Sequence, residues 1–418
     1  MTPSYRTALR LVAVLGLASG CSIAVTASAQ EAVVVRGARI YTVTHGVIES
    51  GTLVCEAGKI TGVGPTAQVR IPPGAQVIDA SGKTVMPGIV ESHTHVGMKR
   101  LWVPADLDNN ELSGPINAQL RGLDSIDTRD RAFKIALEAG VTTMNVSPGS
   151  QTPNGGEAVM LKLRGGTVDD MYLATGGMKF ALRTTFRERR IYPTTHMGVA
   201  SILREKLVAA QDYKKAWDEY TASGKQGPPP ARDLQLEALV KVLTREWMVG
   251  AHAQPALEML NIIRIAKEFN LDLFIIHGTS LVDVVDEVVA AKIPISFGPG
   301  LPGIGRESRV LLGPVRLVQR GGKVAFHQDH PDGPQLYLRH FAALFVAQGM
   351  PEAEALKALT INPAELFRLD KRIGSLEVGK DADFLIMSGG PLEIDTHVER
   401  VFVEGKEVYN RATGRSVF

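Results

Sequence analysis

The middle of the chain alternates short apolar runs with amphipathic segments, and this alternation limits the folds open to it. The amphipathic segments predict helices at residues 128–139, 199–221, 233–246, 255–269, 280–291 and 306–320. The apolar runs predict eight strands, at residues 85–92, 141–147, 157–163, 177–183, 247–252, 272–277, 293–298 and 323–328. Apolar strands that alternate with amphipathic helices pair in parallel and are buried on both faces. We therefore predict an α/β protein with a (β/α)8 TIM barrel over residues 85–370, although the link between the second and third strands is too short for a helix.

Both ends of the chain are rich in short runs of β type. These runs lie at residues 32–43, 51–64, 75–82, 374–389 and 398–410. Gly, Pro and Asp interrupt them at short spacing, which favours antiparallel strands. We therefore predict one small β-sandwich domain built from both chain termini, composed of residues 30–84 and 371–418.

The first residues have the features of a secretory signal peptide. Arg6 and Arg10 precede the apolar stretch LVAVLGLASG, and the small residues ASA follow at 27–29. This pattern predicts a signal peptide over residues 1–29 and a periplasmic or secreted protein. Two alternatives stay open: a membrane anchor, for which the stretch is short, and a lipoprotein lipidated at Cys21. We expect no membrane association unless Cys21 is lipidated.

The charge balance excludes some classes of partner. The chain has 46 basic and 44 acidic residues and a net charge of +2, which gives no electrostatic footprint for nucleic acid. We expect a small-molecule substrate and a homo-oligomer, in which the insert at 184–235 serves as a lid or a dimer element. After cleavage at residue 29 only Cys55 would remain, so we expect no internal disulfide.

Residues that can bind metal stand where the predicted barrel strands end. They are His93, His95, His252, His277 and Asp329. In a barrel of this kind, chemistry gathers at the carboxyl ends of the strands. His93 and His95 are two residues apart, so both side chains lie on one face of an extended strand and can bind one divalent cation. A solvated strand end is the alternative for such a pair alone, and the residues at the other strand ends favour the metal.

A lysine inside the fourth predicted strand offers the anion that a two-metal site needs. Lys179 stands between Met178 and Phe180, and a buried ammonium group is costly. Carboxylation of the amine to a carbamate would turn the cation into a bidentate oxygen ligand. The alternative is that the side chain snorkels to solvent or pairs with a carboxylate. Lys162 in the third strand is the rival, which we interpret as a paired structural lysine.

Three segments carry a resemblance to a known family. VMPGIVESHTHVG at 85–97 is similar to the first-strand metal motif of the metal-dependent amidohydrolase superfamily. Residues 250–280 resemble its fifth and sixth strands with the helix between them, and residues 355–387 resemble its C-terminal segment, which carries no catalysis. Within the superfamily, the chain resembles the imidazolonepropionase-like and Xaa-Pro-dipeptidase-like group.

The resemblance implies a set of site residues with assigned roles. The implied metal ligands are His93, His95, Lys179, His252, His277 and Asp329. The first two histidines would bind the more buried metal, the other two the more exposed one, and the lysine would bridge them. Asp329 would also act as general base and acid. Imidazole and oxygen ligands suit zinc, with one or two ions per chain.

The implied reaction is hydrolysis of a C–N amide bond in a dipeptide, an N-acyl amino acid or a cyclic amide by a metal-activated water. Two other functions stay open. A deaminase of a heterocyclic substrate would use one metal and would not depend on Lys179. A metal-holding binding protein would turn over no substrate.

Several positions depart from the family pattern or have an open role. Glu91 stands where the family usually has Asp, and Gln254 stands where close relatives often carry a second His. Basic residues occupy the loop after the fourth strand, which is either a solvated loop or an anion site: Arg183, Arg187, Arg189 and Arg190. His196 and His330 are either substrate contacts or ordinary loop histidines, and Asp332 is a weaker candidate than Asp329 for the general base.

Overall fold

The computed structural model describes residues 32–99, 108–183, 191–299 and 308–418. The predicted signal peptide, Cys21 and the arginines at 187, 189 and 190 lie outside these ranges. Within the described ranges, no helix is both long and apolar enough to cross a membrane.

The described residues contain strands and α-helices in the order that the sequence pattern indicates. The strands are β1 (Val33–Tyr41), β2 (Val47–Glu56), β3 (Lys59–Pro65), β4 (Gln76–Asp79), β5 (Thr84–Pro87), β6 (Ile89–Thr94), β7 (Val141–Val146), β8 (Asn154–Lys162), β9 (Tyr172–Ala181), β10 (Val249–Ala253), β11 (Leu273–His277), β12 (Ile295–Phe297), β13 (Val324–Phe326), β14 (Phe384–Met387), β15 (Val398–Val403), β16 (Lys406–Asn410) and β17 (Arg415–Ser416). The helices are α1 (Ala132–Glu138), α2 (Val168–Met171), α3 (His196–Ala222), α4 (Leu234–Leu243), α5 (Ala256–Phe269), α6 (Val285–Ala291), α7 (Ser308–Gln319), α8 (Leu338–Ala347), α9 (Glu352–Leu359) and α10 (Ile361–Leu366).

A barrel sheet forms the middle of the molecule, as the sequence predicts. Among the described residues it contains eight strands in the order β13-β12-β11-β10-β9-β8-β7-β6. The strands from β9 to β13 pair in parallel, and so do β6 and β7. Apart from the first four residues of β9, these strands are buried, because helices cover the outer face of a parallel barrel while side chains fill the inside.

The third barrel strand departs from the predicted β/α pattern. β8 pairs antiparallel with both β7 and β9. The link from Val146 to Asn154 is too short for the crossover that a parallel pair requires, so the chain turns back on itself. As a result, the C-terminal end of β8, at Lys162, lies at the opposite end of the barrel from the C-terminal ends of its neighbours.

Hydrogen bonds to side chains join β6 and β13, the two strands at the ends of the barrel sheet. The Ser92 hydroxyl on β6 donates a hydrogen bond to the Phe326 carbonyl on β13 at 3.0 Å. The backbone N–H of Gln328 donates to Glu91 Oε1 at 2.7 Å. These bonds fix the end of β13 against the end of β6, so the residues that follow the two strands are held side by side.

A second sheet combines strands from both termini, as predicted. Its order is β17-β16-β15-β14-β5-β1-β2-β3, with β4 paired to β1. The predicted strand at 85–92 divides between the two sheets at Gly88: β5 belongs to the terminal sheet and β6 to the barrel. A Cβ on Gly88 would lie 2.1 Å from Thr142 Oγ1, so glycine permits the close approach of the chain to β7 at this division.

A buried charge cluster connects the terminal sheet to β8. Lys162 is fully buried, and its ammonium group forms a short ion pair with Asp381 and lies 3.1 Å from Asp383. Arg372 also contacts Asp381, at 2.9 Å. Lys162 is therefore a paired structural lysine, and the antiparallel course of β8 keeps it away from the metal-binding candidates.

Candidate metal centre

The candidate ligands come together at the carboxyl ends of the barrel strands. The histidines lie on or directly after β6, β10 and β11, Lys179 lies on β9, and Asp329 follows β13. All of them are at most 5% exposed. His277 and Asp329 have positive backbone φ angles, 78° and 53°, a conformation that costs non-glycine residues of order 1–3 kcal/mol and is concentrated at functional sites.

Asp329 lies at the centre of the histidines. Its Oδ1 atom is 3.2 Å from Nε2 of both His93 and His95, and its Oδ2 atom is 3.9 Å from Nε2 of His277. The His252 ring is edge-on to the His277 ring, with centroids 4.3 Å apart. The predicted ligands from strands far apart in the sequence thus meet in one buried place.

Backbone carbonyls fix the tautomers of two of these histidines. Nδ1 of His95 is 2.6 Å from the Ser147 carbonyl, and Nδ1 of His277 is 2.7 Å from the Gly298 carbonyl. A carbonyl oxygen only accepts hydrogen bonds, so both rings carry their proton on Nδ1. Their Nε2 lone pairs therefore face Asp329, which is how imidazole ligands of metals are usually oriented.

Several buried polar atoms at this place lack a hydrogen-bond partner among the described residues. They are Asp329 Oδ1, His93 Nδ1 and both ring nitrogens of His252. Lone pairs on imidazole and carboxylate that face one another repel unless a cation lies between them. One group of three residues has ligand atoms all within 4.8 Å of one another: His93, His277 and Asp329. The donor set and its unsatisfied atoms fit a divalent metal ion.

Burial keeps the histidines neutral. It lowers the pKa of His277 to about 4, and it lowers the pKa of His93 and of His252 well below the usual value. Nearby cationic groups act in the same direction, and Lys179 is one of them for each of these three rings. Neutral imidazole is the form that binds metal.

Lys179 lies against the same group. Its Nζ atom is 3.4 Å from Nε2 of His93. Burial lowers the pKa of Lys179 to about 7, and the charge of Asp329 only partly opposes this effect. A substantial fraction of the amine is therefore neutral and nucleophilic near neutral pH.

The positions that depart from the family pattern have structural roles around the centre. Burial raises the pKa of Glu91 to about 8, and Glu91 accepts the hydrogen bond from Gln328 that ties β6 to the Asp329 loop. The backbone N–H of Gln254 donates to Glu258 at 3.1 Å, and the other oxygen of Glu258 lies 3.1 Å from Nε2 of His196. Glu258 thus connects His196 to the loop that follows His252.

Other residues named from the sequence lie near the candidate ligands. Arg183 is exposed, and its charge lowers the pKa of His252. The backbone N–H of Leu182, one residue before, donates to the His252 carbonyl at 3.0 Å. Asp332 is exposed and pairs with Lys99 at 3.1 Å. His330 is buried, and its carbonyl accepts a hydrogen bond from the N–H of His95 at 3.2 Å.

The sequence reasoning missed His327. Its ring is fully buried and edge-on to His93 and His277, with centroids 5.2 Å and 5.1 Å apart. A usable signal was present, because His327 stands two residues before Asp329, and residues two apart at the end of a strand lie on the same face.

Comparison with known proteins identifies the family. A crystal structure of an amidohydrolase from Thermotoga maritima MSB8 is 31% identical to the chain and superposes on it with a TM-score of 0.85. The match covers 91% of the chain and 100% of that structure. The chain belongs to the amidohydrolase superfamily.

Proteins related to the chain in sequence agree with its assignment to this superfamily. The profile of the Amidohydrolase family matches residues 287–409. An imidazolonepropionase from Symbiobacterium thermophilum is 25% identical, over 82% of the chain and 84% of the relative. Amidohydrolase tasK from Hapsidospora irregularis is 24% identical over 85% of the chain, which spans only 39% of the length of that protein. The predicted membership in the superfamily and the predicted similarity to imidazolonepropionases are confirmed.

Proposed function

We propose that this amidohydrolase is a metal-dependent hydrolase of C–N amide bonds, with a substrate among dipeptides, N-acyl amino acids and cyclic amides. The observation that carries the proposal is the buried group of His93, His277 and Asp329, whose ligand atoms lie within 4.8 Å of one another. Membership in the superfamily supports the hydrolytic reaction. The name of the imidazolonepropionase relative refers to a ring that contains an amide, which keeps cyclic amides among the candidates.

Zinc is the proposed metal, because imidazole nitrogens and a carboxylate are its usual ligands. His95, His252 and Lys179 complete the proposed ligand set. When bound, a divalent cation would polarise the scissile carbonyl and lower the pKa of a water molecule. The fixed Nδ1–H tautomers of His95 and His277 support this role, since they present Nε2 lone pairs without any rearrangement.

Asp329 is the proposed general base. Burial alone would raise the pKa of Asp329, but positive charge at the neighbouring His93 and His95 outweighs burial and holds the pKa well below its usual value. A cation bound by these rings in their neutral form would supply that charge. The carboxylate accepts a proton from the attacking water and then donates it to the leaving nitrogen. The C–N bond breaks, and the products are a carboxylic acid and an amine.

Lys179 is the proposed bridging ligand, after carboxylation. The neutral amine adds to carbon dioxide, an N–C bond forms, and one proton is released to solvent. The pKa of about 7 that burial gives Lys179 supports this step, because the ammonium form cannot act as a nucleophile. The resulting carbamate would carry two oxygen ligands and would replace a buried cation with an anion.

A substrate screen tests the proposal. Zinc-loaded protein is incubated with a library of dipeptides, N-acyl amino acids and cyclic amides, and amine release is measured. We expect hydrolysis of members of at least one class and no hydrolysis by the metal-free protein. Asp332→Asn is the matched control variant, because Asp332 is exposed and pairs with Lys99, and it should keep the rate. Fully zinc-loaded protein that hydrolyses nothing in the library would contradict the proposal.

Deamination of a heterocycle is the second candidate, and one observation favours it. Among the residues that the structure describes, the three whose ligand atoms all lie within 4.8 Å of one another could hold a single ion. A deaminase would release ammonia from a purine or pyrimidine, contain one metal per chain and keep its rate in Lys179→Ala. Ammonia release at an unchanged rate in Lys179→Ala would favour deamination over amide hydrolysis.

The cellular setting is also a proposal. We infer a periplasmic or secreted, homo-oligomeric enzyme that meets a small molecule and no nucleic acid. The support is the signal-like composition of residues 1–29 and the balanced charge of +2. Mass spectrometry of the mature N-terminus should find cleavage after Ala29, and an intact or lipidated N-terminus would contradict it.

A further inference from the structure

Three buried polar side chains form a row beside the metal centre. Ser92 Oγ lies 2.7 Å from Ser296 Oγ, and Ser296 Oγ lies 2.8 Å from Nδ1 of His327. All three side chains are fully buried, and they come from β6, from β12 and from the residue after β13. A buried polar group destabilises the fold unless it is hydrogen-bonded, and a fully bonded row of such groups holds its members in one arrangement.

The hydrogen bonds in the row have one consistent direction. The Ser92 hydroxyl donates to the Phe326 carbonyl at 3.0 Å, so it can only accept from Ser296. The Ser296 hydroxyl then uses its single proton toward Ser92 and accepts from Nδ1 of His327. His327 therefore carries a proton on Nδ1.

The other nitrogen of His327 faces a candidate ligand. Nε2 of His327 lies 3.4 Å from Nδ1 of His277, and that atom already donates to the Gly298 carbonyl at 2.7 Å. A proton on Nε2 of His327 would bring two donors face to face. Nε2 of His327 thus presents a lone pair, which gives the N–H of His277 a second acceptor.

We propose that His327 is a positioning residue that, together with the Gly298 carbonyl, holds His277 in its Nδ1–H tautomer and keeps Nε2 of His277 directed at the metal. The proposal rests on the metal centre of the proposed function. The row Ser92–Ser296–His327 holds the proton of His327 on Nδ1. The lone pair on Nε2 of His327 then favours the proton of His277 on Nδ1. Nε2 of His277 is left free to bind the metal. His327 is not itself a ligand, because its only free lone pair is occupied by His277.

Two substitutions at this position separate the hydrogen bond from the volume of the ring. His327→Gln keeps a side-chain oxygen that can accept from His277, whereas His327→Leu keeps the bulk and loses both hydrogen bonds. Ser296→Ala removes the acceptor of the His327 proton without touching any candidate ligand. Ser375→Ala is the matched control, since it removes a buried hydroxyl that bonds to Glu377 and Lys380 near the terminal sheet.

The experiment has two measurements on protein labelled with ¹⁵N at histidine. Long-range ¹H–¹⁵N spectra of the metal-free protein report the tautomer of His277, which is assigned by the loss of its signals in His277→Gln. Zinc affinity is measured by competition with a chelator. Thermal unfolding shows whether each variant is folded.

We expect His277 to be in the Nδ1–H form in the wild type, in His327→Gln and in Ser375→Ala. In Ser296→Ala, His327 can carry its proton on Nε2 and oppose the N–H of His277, so we expect a mixture of tautomers of His277. In His327→Leu the Gly298 carbonyl still holds the tautomer, but the ring loses its second acceptor. In both variants we expect a zinc affinity about 10- to 100-fold weaker. Unchanged tautomer and affinity in both latter variants would overturn the proposal. The proposal would also be overturned if His327→Gln and His327→Leu lost zinc affinity equally while the tautomer of His277 stayed unchanged. His327 would then be a metal ligand itself. A wild type that binds no zinc would refute the proposed function, while the tautomer spectra would still decide the role of His327.

Discussion

Nε2 of His95 lies 3.2 Å from Oδ1 of Asp329, although neither atom has a proton to share with the other. The proton of His95 is on Nδ1, where it bonds to the Ser147 carbonyl at 2.6 Å, and an ionised carboxyl such as that of Asp329 accepts hydrogen bonds but donates none. Two lone pairs at this distance, both buried, need a cation between them. This relationship is the physical basis for the metal centre.

Asp329→Asn should separate catalysis from metal binding. The amide keeps one oxygen for ligation but cannot accept a proton from water, so we expect kcat to fall by about 10²–10⁴ while zinc content falls less. Zinc content is measured by elemental analysis beside the rate. Asp332→Asn is the control, and equal proportional losses of zinc and rate in Asp329→Asn would argue against a general base here.

Lys179→Ala should lower metal occupancy and activity together. The bridging carbamate would supply oxygen ligands to both ions, so the wild type should hold close to two zinc ions per chain and the variant fewer. Intact mass spectrometry under native conditions should also show an added carboxyl group on the wild type alone. Lys99→Ala, which removes a half-buried lysine paired with the exposed Asp332, should change none of these. Full metal content with full rate in Lys179→Ala would eliminate the carbamate.

Lys162→Met should destabilise the fold without altering the metal centre. Removing the ammonium leaves Asp383 buried without its cationic partner and leaves Asp381 with Lys59 and Arg372 alone, which should cost about 3–5 kcal/mol of unfolding free energy. Denaturant unfolding measures this cost. Lys323→Met removes a lysine from an exposed pair with Glu365 and should cost less than about 1 kcal/mol. Equal costs in the two variants would show that the buried cluster contributes no more than a surface pair.

The same cluster predicts how stability depends on pH. Burial would raise the pKa of Asp381, but Lys162, Lys59 and Arg372 together outweigh burial and lower it, with Lys162 acting most strongly. A carboxyl with a lowered pKa in the folded state stabilises above its unfolded pKa, about 3.9, and this contribution is lost as pH falls through the folded value. The destabilisation by Lys162→Met should therefore be largest near neutral pH and shrink in acid. A difference between wild type and variant that stays constant from pH 7 to pH 3 would contradict this account.

Gly298→Ala should disturb the support of His277. Gly298 has a φ of 154°, and a Cβ there would lie 2.0 Å from the His327 carbonyl oxygen. Relief of this contact would move the Gly298 carbonyl that fixes His277, so we expect a loss of about 1–3 kcal/mol in stability and weaker zinc binding. Gly321→Ala also has a positive φ but open space around the Cβ. It should lose stability from backbone strain alone and keep its zinc affinity, and an equal zinc loss in both would refute the role of the contact.

The strands and helices of the barrel could be predicted from the sequence, because the spacing of apolar residues and the length of each apolar run are local properties. Every predicted helix and barrel strand has a counterpart in the structure. The antiparallel course of β8 could not be read from its own residues, because an apolar strand has the same pattern in either direction. Only the short link before Asn154 carried a signal for it.

The candidate ligands were predictable because barrel topology brings the carboxyl ends of strands together. Their surroundings were not, since hydrogen bonds such as Ser296 to His327 join residues 31 apart in the chain. Likewise, nothing local distinguishes Lys179 from Lys162. Their difference comes from which end of the barrel each reaches, and from the three carboxylates that surround Lys162.

The most direct test of the metal centre is calorimetric titration of metal-free protein with zinc, comparing the wild type with His93→Ala. His93 is fully buried and lies within ligand distance of both His277 and Asp329, so its loss should remove tight binding, while His45→Ala, at an exposed histidine, should bind as the wild type does. Wild-type stoichiometry and affinity in His93→Ala would contradict the account.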